Sequence, residues 1–298
     1  MRIGIDLGGS KIEGVVMDDD SSIRQRLRVP TPANDYPATV TAIRDLVLAL
    51  EQRVDGCGLS VGIGTPGSVS PASGLMKGCN STCLNGKPLK QDLETALGRP
   101  LRLANDADCL ALSEARDGAG QGARSVFGVI LGTGVGGGIV INGALLAGPN
   151  AIAGEWGHNP LPWPQARELP GPRCWCGQKG CIETWLSGSA IAREYLAYTD
   201  ESCPAEEIVG RLQKGEPAAN AVFTRYEDRL ARALASVINL LDPDVIVLGG
   251  GLSNIQSLYL RVPELWARHV FSDRVDTRLL PARHGDSSGV RGAVRLWN

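Results

Sequence analysis

The chain has 298 residues, 43% of them hydrophobic, and a formal net charge of −2 at pH 7. That length calls for one large or two medium domains with an ample core. The near-neutral balance carries no basic stripe or acidic tail, which argues against nucleic acid as a partner, and no apolar run reaches the roughly 18 residues that a membrane span needs.

Residues 2–7 (Arg-Ile-Gly-Ile-Asp-Leu) alternate and predict a strand. No charged-then-apolar leader precedes it, so a cytoplasmic location is expected. Gly8-Gly9-Ser10-Lys11 breaks the strand, and Ile12–Met17 resumes in extended character, which makes a hairpin. A Walker-type loop or a Rossmann fingerprint would need a helix after its glycines. Residues 18–22 form the next turn, and a Pro-rich link starts at Val29. Val40, Ile43, Val47 and Leu50 then recur at helical spacing. Leu59–Gly64 reads as a buried strand, residues 68–88 as turns, and Leu89, Leu93 and Leu97 as a short helix stopped by Gly98. The strand Leu101–Ala104 delivers Asn105 and Asp106 to its C-terminal end, ahead of a helix over Ala107–Ala115.

The opening pattern then returns. Val126–Leu131 is a strand, Gly132–Gly138 the turn and Ile139–Asn142 the next strand. Two such units about 125 residues apart predict two α/β halves, each offering a backbone-lined hairpin to one ligand. Open amides in such turns cradle phosphate oxygens, because glycine lets the backbone approach. Beyond them, helices are expected over Ala190–Ala197, Ala205–Gln213 and Ala218–Leu241. A buried strand, Val245–Leu248, runs into Gly249-Gly250-Gly251 and a helix, where an α/β sheet accepts ligands. A capped C-terminal helix follows Gly285.

Of eight cysteines, three lie close to a histidine: His158, Cys174, Cys176 and Cys181 are the donors of a closed tetrahedral zinc site. The other five are expected to be free thiols. Glu155 and Glu183 bracket the set without being needed by the metal, and are expected to face a ligand.

Asp6-Leu-Gly-Gly-Ser-Lys11, Leu103-Ala-Asn-Asp-Ala107, Leu131–Gly138, Gly154-Glu-Trp-Gly-His158 and Cys174-x-Cys-Gly-x-x-Gly-Cys181-x-Glu183 together resemble the sugar kinases of the ROK family (repressors, open reading frames and kinases). The resemblance extends to Val245–Ser253 and to residues 284–292. Ser10 stands where threonine is commoner, and fifteen residues separate His158 from Cys174, more than in many members. Asn80-Ser-Thr, Leu84-Asn-Gly and Trp156–Trp163 look like the bacterial fructokinase (mannokinase-like) branch.

The resemblance implies an actin-like, ribonuclease-H-like ATPase fold of two α/β domains around a cleft. Residues 1–115 plus 285–298 would form one domain and 116–284 the other. It implies ATP, Mg²⁺, a structural zinc, a hexose substrate and a homodimer. The expected activity is ATP:hexose 6-phosphotransfer, with D-fructose first and glucose, mannose or an N-acetylhexosamine as alternatives. A sugar-responsive repressor of the same family would need a helix-turn-helix ahead of the first strand, which begins within three residues of Met1. Asp106 is the expected base, its anion favoured by the helix N-terminus, so that placement and not a high pKa would make it act. Asp6 would face magnesium through water. Gly8, Gly9, Ser10 and Lys11 would lie near the phosphates on one side, and Gly132, Thr133 and Gly134 on the other. Gly249 and Gly250 would leave room for adenine. Asn80, Asn105, Asp106, Glu155, His158 and Glu183 would hold the sugar, with His158 also a zinc ligand. The tryptophans around the metal loop, Trp156, Trp163, Trp175 and Trp185, are expected to pack it.

Overall fold

In a computed structural model describing residues 1–297, alternating and fully apolar runs become the strands of two sheets. The elements in chain order are β1 (Arg2–Leu7), β2 (Lys11–Met17), β3 (Ile23–Pro30), α1 (Tyr36–Arg53), β4 (Val61–Thr65), β5 (Ser68–Val69), β6 (Met76–Lys77), α2 (Leu89–Leu97), β7 (Leu101–Asn105) and α3 (Asp106–Asp117). There follow β8 (Ser125–Leu131), β9 (Val135–Ile141), β10 (Ala144–Leu145), α4 (Glu183–Leu186), α5 (Gly188–Thr199), α6 (Ala205–Gln213), α7 (Pro217–Leu241), β11 (Val245–Gly249), α8 (Leu258–Trp266), β12 (Arg278–Pro281) and α9 (Ser288–Arg295).

The sheets run β3-β2-β1-β4-β7 and β10-β9-β8-β11-β12. Each is an antiparallel meander of three strands followed by two parallel ones. The repeated hairpin in the sequence therefore marks a repeated sheet, the two-domain α/β architecture of actin-like ATPases. One core gathers Ile3, Ile5, Ile43, Leu50, Ile63 and Leu93 under the first sheet. The other gathers Phe127, Tyr195, Phe223, Tyr226 and Trp266 around α7.

Helices α3 and α9 lie between the sheets. α9 packs on β1 and β4, α3 packs on β8 and β9, and the two helices pack on each other. Small residues make this possible. A Cβ on Gly62 would stand 1.9 Å from the Ala293 carbonyl oxygen, and one on Gly138 would stand 2.5 Å from that of Ala107. The carboxylate of Glu114, buried at the C-terminal part of α3, accepts from the backbone N–H groups of Ala119, Arg283 and His284 and from the Ser288 hydroxyl. That one side chain fixes the start of α9 against α3.

Several expectations shift. β3 is a strand in the stretch between the turn at 18–22 and the link from Val29, where the sequence assigns no element. It alternates half-buried Ile23, Leu27 and Val29 with exposed Arg24, Arg26 and Arg28, and its charges suit a sheet edge. β9 begins at Val135, so Gly136–Gly138 belong to the strand. Those glycines serve close packing, and the turn is Gly132–Gly134 alone. β12 is also new. α9 lacks a side-chain cap: its N-cap residue is Ser287, whose hydroxyl accepts from Arg26, while the Ser288 hydroxyl is directed to Glu114 and to the Gly285 carbonyl. Gly250 and Gly251 lead first into a short 3₁₀ turn, and α8 starts later. Among the described residues no helix is long and apolar enough to cross a membrane.

Candidate active site

A cavity of about 460 Å³ lies between the sheets at the ends of β1, β7 and β8. It is lined by Asp6, Gly8 and Gly9 from the first hairpin, Asn80, Asn105 and Asp106, Thr133 and Gly134 from the second hairpin, and Glu155, His158 and Glu183 from the metal loop, with Gly250. Eleven positions read from the sequence as contacts for phosphate, magnesium, adenine or sugar thus converge with Asp106 in one place. Four do not line it. Ser10 and Lys11 are exposed, and the Lys11 carbonyl accepts from Gly8 N–H at 3.1 Å to close the turn. Gly132 is used by the backbone, its carbonyl accepting from Gly188 N–H at 2.8 Å. Gly249 is packed instead of open: a Cβ there would lie 2.1 Å from Leu110 Cδ1.

Asn105 and Asp106 sit where β7 passes directly into α3. Asn105 is the N-cap, its Oδ1 accepting from Ala107 N–H at 2.7 Å. Asp106 Oδ1 shares that donor at 2.8 Å. Capping is therefore carried by Asn105, and Asp106 can present its second oxygen to the cleft. Burial pushes the Asp106 carboxyl up to about 6, against the pull of the Ala107 N–H and helped by the Glu155 charge. This corrects the expectation that the helix N-terminus would keep it low: loss of water outweighs the dipole. Asp6 is also raised to about 6, by burial first and then by the charges of Asp106 and Glu13, with Lys11 opposing. Asp108, missed in the sequence, is raised to about 7 by burial and by Glu155 and Asp106.

The metal loop is built by local hydrogen bonds. Cys174 N–H donates to the Gln178 carbonyl at 2.8 Å and Gly177 N–H to the Cys174 carbonyl at 3.0 Å, which folds the Cys-Trp-Cys-Gly segment back on itself. The four donor atoms of His158, Cys174, Cys176 and Cys181 lie within 4.8 Å of one another. Cys174 Sγ is 3.6 Å from His158 Nδ1, and Cys176 Sγ is 3.6 Å from Cys181 Sγ. A tetrahedron with ordinary zinc bond lengths has S···N and S···S edges of roughly 3.6 and 3.8 Å, so the residues fit zinc. Nδ1 faces the thiols, which leaves Nε2 as the ring nitrogen that can reach a ligand in the cavity His158 lines.

The long segment between His158 and Cys174 does not disturb this set, because it is tied to α7. Glu168, buried, accepts from Arg229 Nε at 2.8 Å and from Arg232 at 2.9 Å, and Arg232 also holds the carbonyls of Pro162 and Trp163. Glu183 braces the second hairpin: its Oε2 accepts from Val135 N–H at 3.0 Å and its Oε1 from Trp175 Nε1 at 2.7 Å. Trp175 is thus drawn into the cavity wall, edge-on to His158, and is a lining residue instead of loop packing. Trp156 does pack, donating to the Gly136 carbonyl, and Trp185 lies under Arg229. Trp163 is half exposed and stacks on His269. Asp286 and Gly289 also line the cavity. The Gly-Asp-Ser-Ser-Gly run signalled them, and a Cβ on Gly289 would press to 3.2 Å from Asp6 Oδ2.

Residues 2–298 match the ROK family. The chain belongs to that family. It is 43% identical to an N-acetyl-D-glucosamine kinase of Citrobacter koseri over 99% of both chains. Among solved structures it is similar to a ROK hexokinase from Thermus thermophilus, at 32% identity and a TM-score of 0.86, over 98% of this chain and 96% of that one. It is similar too to a ROK family glucokinase from Streptomyces griseus in complex with glucose and AMPPNP, at 29% identity and a TM-score of 0.82, over 99% and 98%. The fructokinase likeness of three short stretches is not carried by these full-length relatives. The structure gives those stretches folding duties. Asn85 bridges both backbone groups of Cys79, and the Trp163 carbonyl is an Arg232 anchor.

Proposed function

We propose that the chain transfers the γ-phosphoryl group of ATP to the primary hydroxyl of N-acetyl-D-glucosamine. The observation that carries the reading is the 42–43% identity, over 99% of each chain, to N-acetyl-D-glucosamine kinases, joined to a cleft holding a recessed carboxylate. Asp106 takes the proton of the attacking hydroxyl. At a pKa of about 6 it is ionised at neutral pH, yet more basic than an ordinary aspartate. Asn105, Glu155, Glu183 and Nε2 of His158 orient the sugar through directional hydrogen bonds, and Asn80 closes the other side. Thr133 and the open amides of Gly134 and Gly9 take phosphate oxygens, while Gly8 N–H stays on the Lys11 carbonyl, and Gly250 leaves space for the base. Asp6, buried beside two other carboxylates, is suited to a hard divalent cation. Bound magnesium would neutralise phosphate charge there. Zinc at the His158–Cys181 set would hold the sugar-facing loop in shape and take no part in the chemistry.

We further propose the domain division 1–115 plus 285–298 and 116–284. The packing of α9 on β1 and β4 supports it, although Asn298 lies outside the described residues.

A panel of fructose, glucose, mannose, N-acetylmannosamine and N-acetylglucosamine with coupled ADP release tests the substrate. N-acetylglucosamine is expected to have the highest kcat/KM, and a higher value for any of the others would reject the assignment. Cys176→Ser is expected to lose zinc by metal analysis and to raise the sugar KM. Full zinc in that variant would remove Cys176 as a ligand.

A further inference from the structure

A second cavity, of about 400 Å³, adjoins the first and shares Asn105 and Glu155 with it. Its walls are mostly apolar, with Val69 from β5, Leu103 from β7, Leu145 from β10, and Ala151 and Ala153 from the loop that follows, and its charged lining residues, apart from the shared Glu155, are Lys90, Arg102 and Asp108, the last beside that glutamate. The room is built, since that loop is pinned to the β5–β6 hairpin across it. The Ser68 hydroxyl donates to the Ala151 carbonyl at 3.3 Å, and Lys77 Nζ to the Asn150 carbonyl at 2.8 Å.

The two shared residues define what can pass between the cavities. Asn105 spends its Oδ1 on Ala107 N–H, so its remaining polar group is the Nδ2 donor. Glu155 is a carboxylate and, when ionised, only accepts. One donor and one acceptor at a doorway match an amide, whose carbonyl accepts and whose N–H donates. Behind the doorway, apolar walls hold water poorly and suit an alkyl chain. A bare hexose offers neither the amide nor the chain.

We propose that this cavity is the subsite for the acyl group of a 2-acylaminohexose, and that it takes acyl chains longer than acetyl. The proposal rests on the amino-sugar reading above and goes beyond it. The carbonyl oxygen and two carbons of an acetyl group fill little of about 400 Å³, at roughly 30 Å³ for each unit the size of a water molecule. Propanoyl and butanoyl chains would extend along Val69 and Ala153 without displacing a wall.

The test measures kcat/KM for glucose and for the N-acetyl, N-propanoyl and N-butanoyl derivatives of glucosamine. The wild-type protein is compared with Ala153→Leu and Ala151→Leu, each confirmed as folded by its thermal transition. The wild type is expected to turn over all three amides with kcat/KM within about tenfold of one another. Both variants are expected to lower the ratio of N-acetylglucosamine to glucose by about tenfold or more, and the N-butanoyl derivative further. If N-acetylglucosamine is a good substrate and both folded variants keep the wild-type ratio, the subsite is wrong while the substrate reading stands. If the longer amides fall by more than about a hundredfold in the wild type, the claim of longer chains is overturned. If no amide is turned over but another hexose is, both the substrate reading and the subsite fall.

Discussion

The hairpins β1–β2 and β8–β9 occupy equivalent places in two sheets of identical strand order. Their last paired residues are Leu7 with Ile12 and Leu131 with Val135. One residue earlier in each strand, Asp6 and Ile130 both line the cleft. The same position is therefore an acid in one half and an alkyl group in the other. Around Asp6 the first half gathers more negative charge, with Glu13 paired opposite it and Asp106 across the cavity. Around Ile130 the second hairpin carries no acid of its own and offers Thr133 and the Gly134 amide, with Glu183 reaching it from the metal loop. The repeat preserves the backbone and divides the charge: the first hairpin brings a carboxylate to the cleft, the second a hydroxyl and an open amide.

The largest effect is expected where the acidic side meets the sugar. Asp106→Asn removes the proposed proton acceptor and leaves the Asn105 cap, so kcat should fall by about 10³–10⁴ while sugar affinity by calorimetry stays within a few fold. Near-normal turnover would remove Asp106 as base. In the unaltered protein the group must be ionised to act, and its pKa is raised to about 6. Activity should therefore climb as pH rises through about 6 and level off above 7. A profile already flat at pH 5 would contradict the buried environment. Asp6→Asn is the next largest. It relieves like charge but would leave the proposed magnesium without a carboxylate, so kcat should drop on the order of 10²-fold and the magnesium requirement should rise. An unchanged magnesium titration would show that the acidic half does not serve a cation.

How far this division could be read from the sequence differs between its parts. The hairpins were legible because alternation and glycine are local signals. The metal set was legible because three thiols and an imidazole have few other uses. What escaped depends on contacts between distant segments. Gly136 and Gly138 resemble a turn until α3 is seen lying on them, Gly137 until Trp156 and Phe127 are seen against it, and Gly249 resembles a ligand glycine until Leu110 fills its space. The raised pKa of Asp106 was invisible because burial is set by both sheets together, whereas the helix N-terminus that argued the other way is local. Trp175 reads as packing in the sequence because its bond to Glu183 forms only once the loop folds back. Asp108 lies two residues beyond Asp106, yet only the packing of α3 reveals that it is recessed beside Glu155.

The neutral hairpin and the flank of the acidic one give the smallest effects and the sharpest contrast. Thr133 lines the cavity, so Thr133→Ala should remove a hydrogen bond to a charged oxygen, of about 1.5–3 kcal/mol. That raises the KM for ATP roughly 10- to 100-fold and leaves the sugar KM little changed. Lys11 belongs to the hairpin with the more obvious phosphate signature, yet it is exposed, does not line the cavity and meets Asp6 only as a distant charge. Exposed charges at that range contribute little. Lys11→Ala should change the KM for ATP by no more than about twofold, with a small downward drift in kcat as Asp6 loses a favourable neighbour. If the order were inverted, with Lys11→Ala the more damaging of the two, the phosphates would be held by the acidic hairpin through its lysine. The division of labour inferred from Asp6 and Ile130 would then have to be given up.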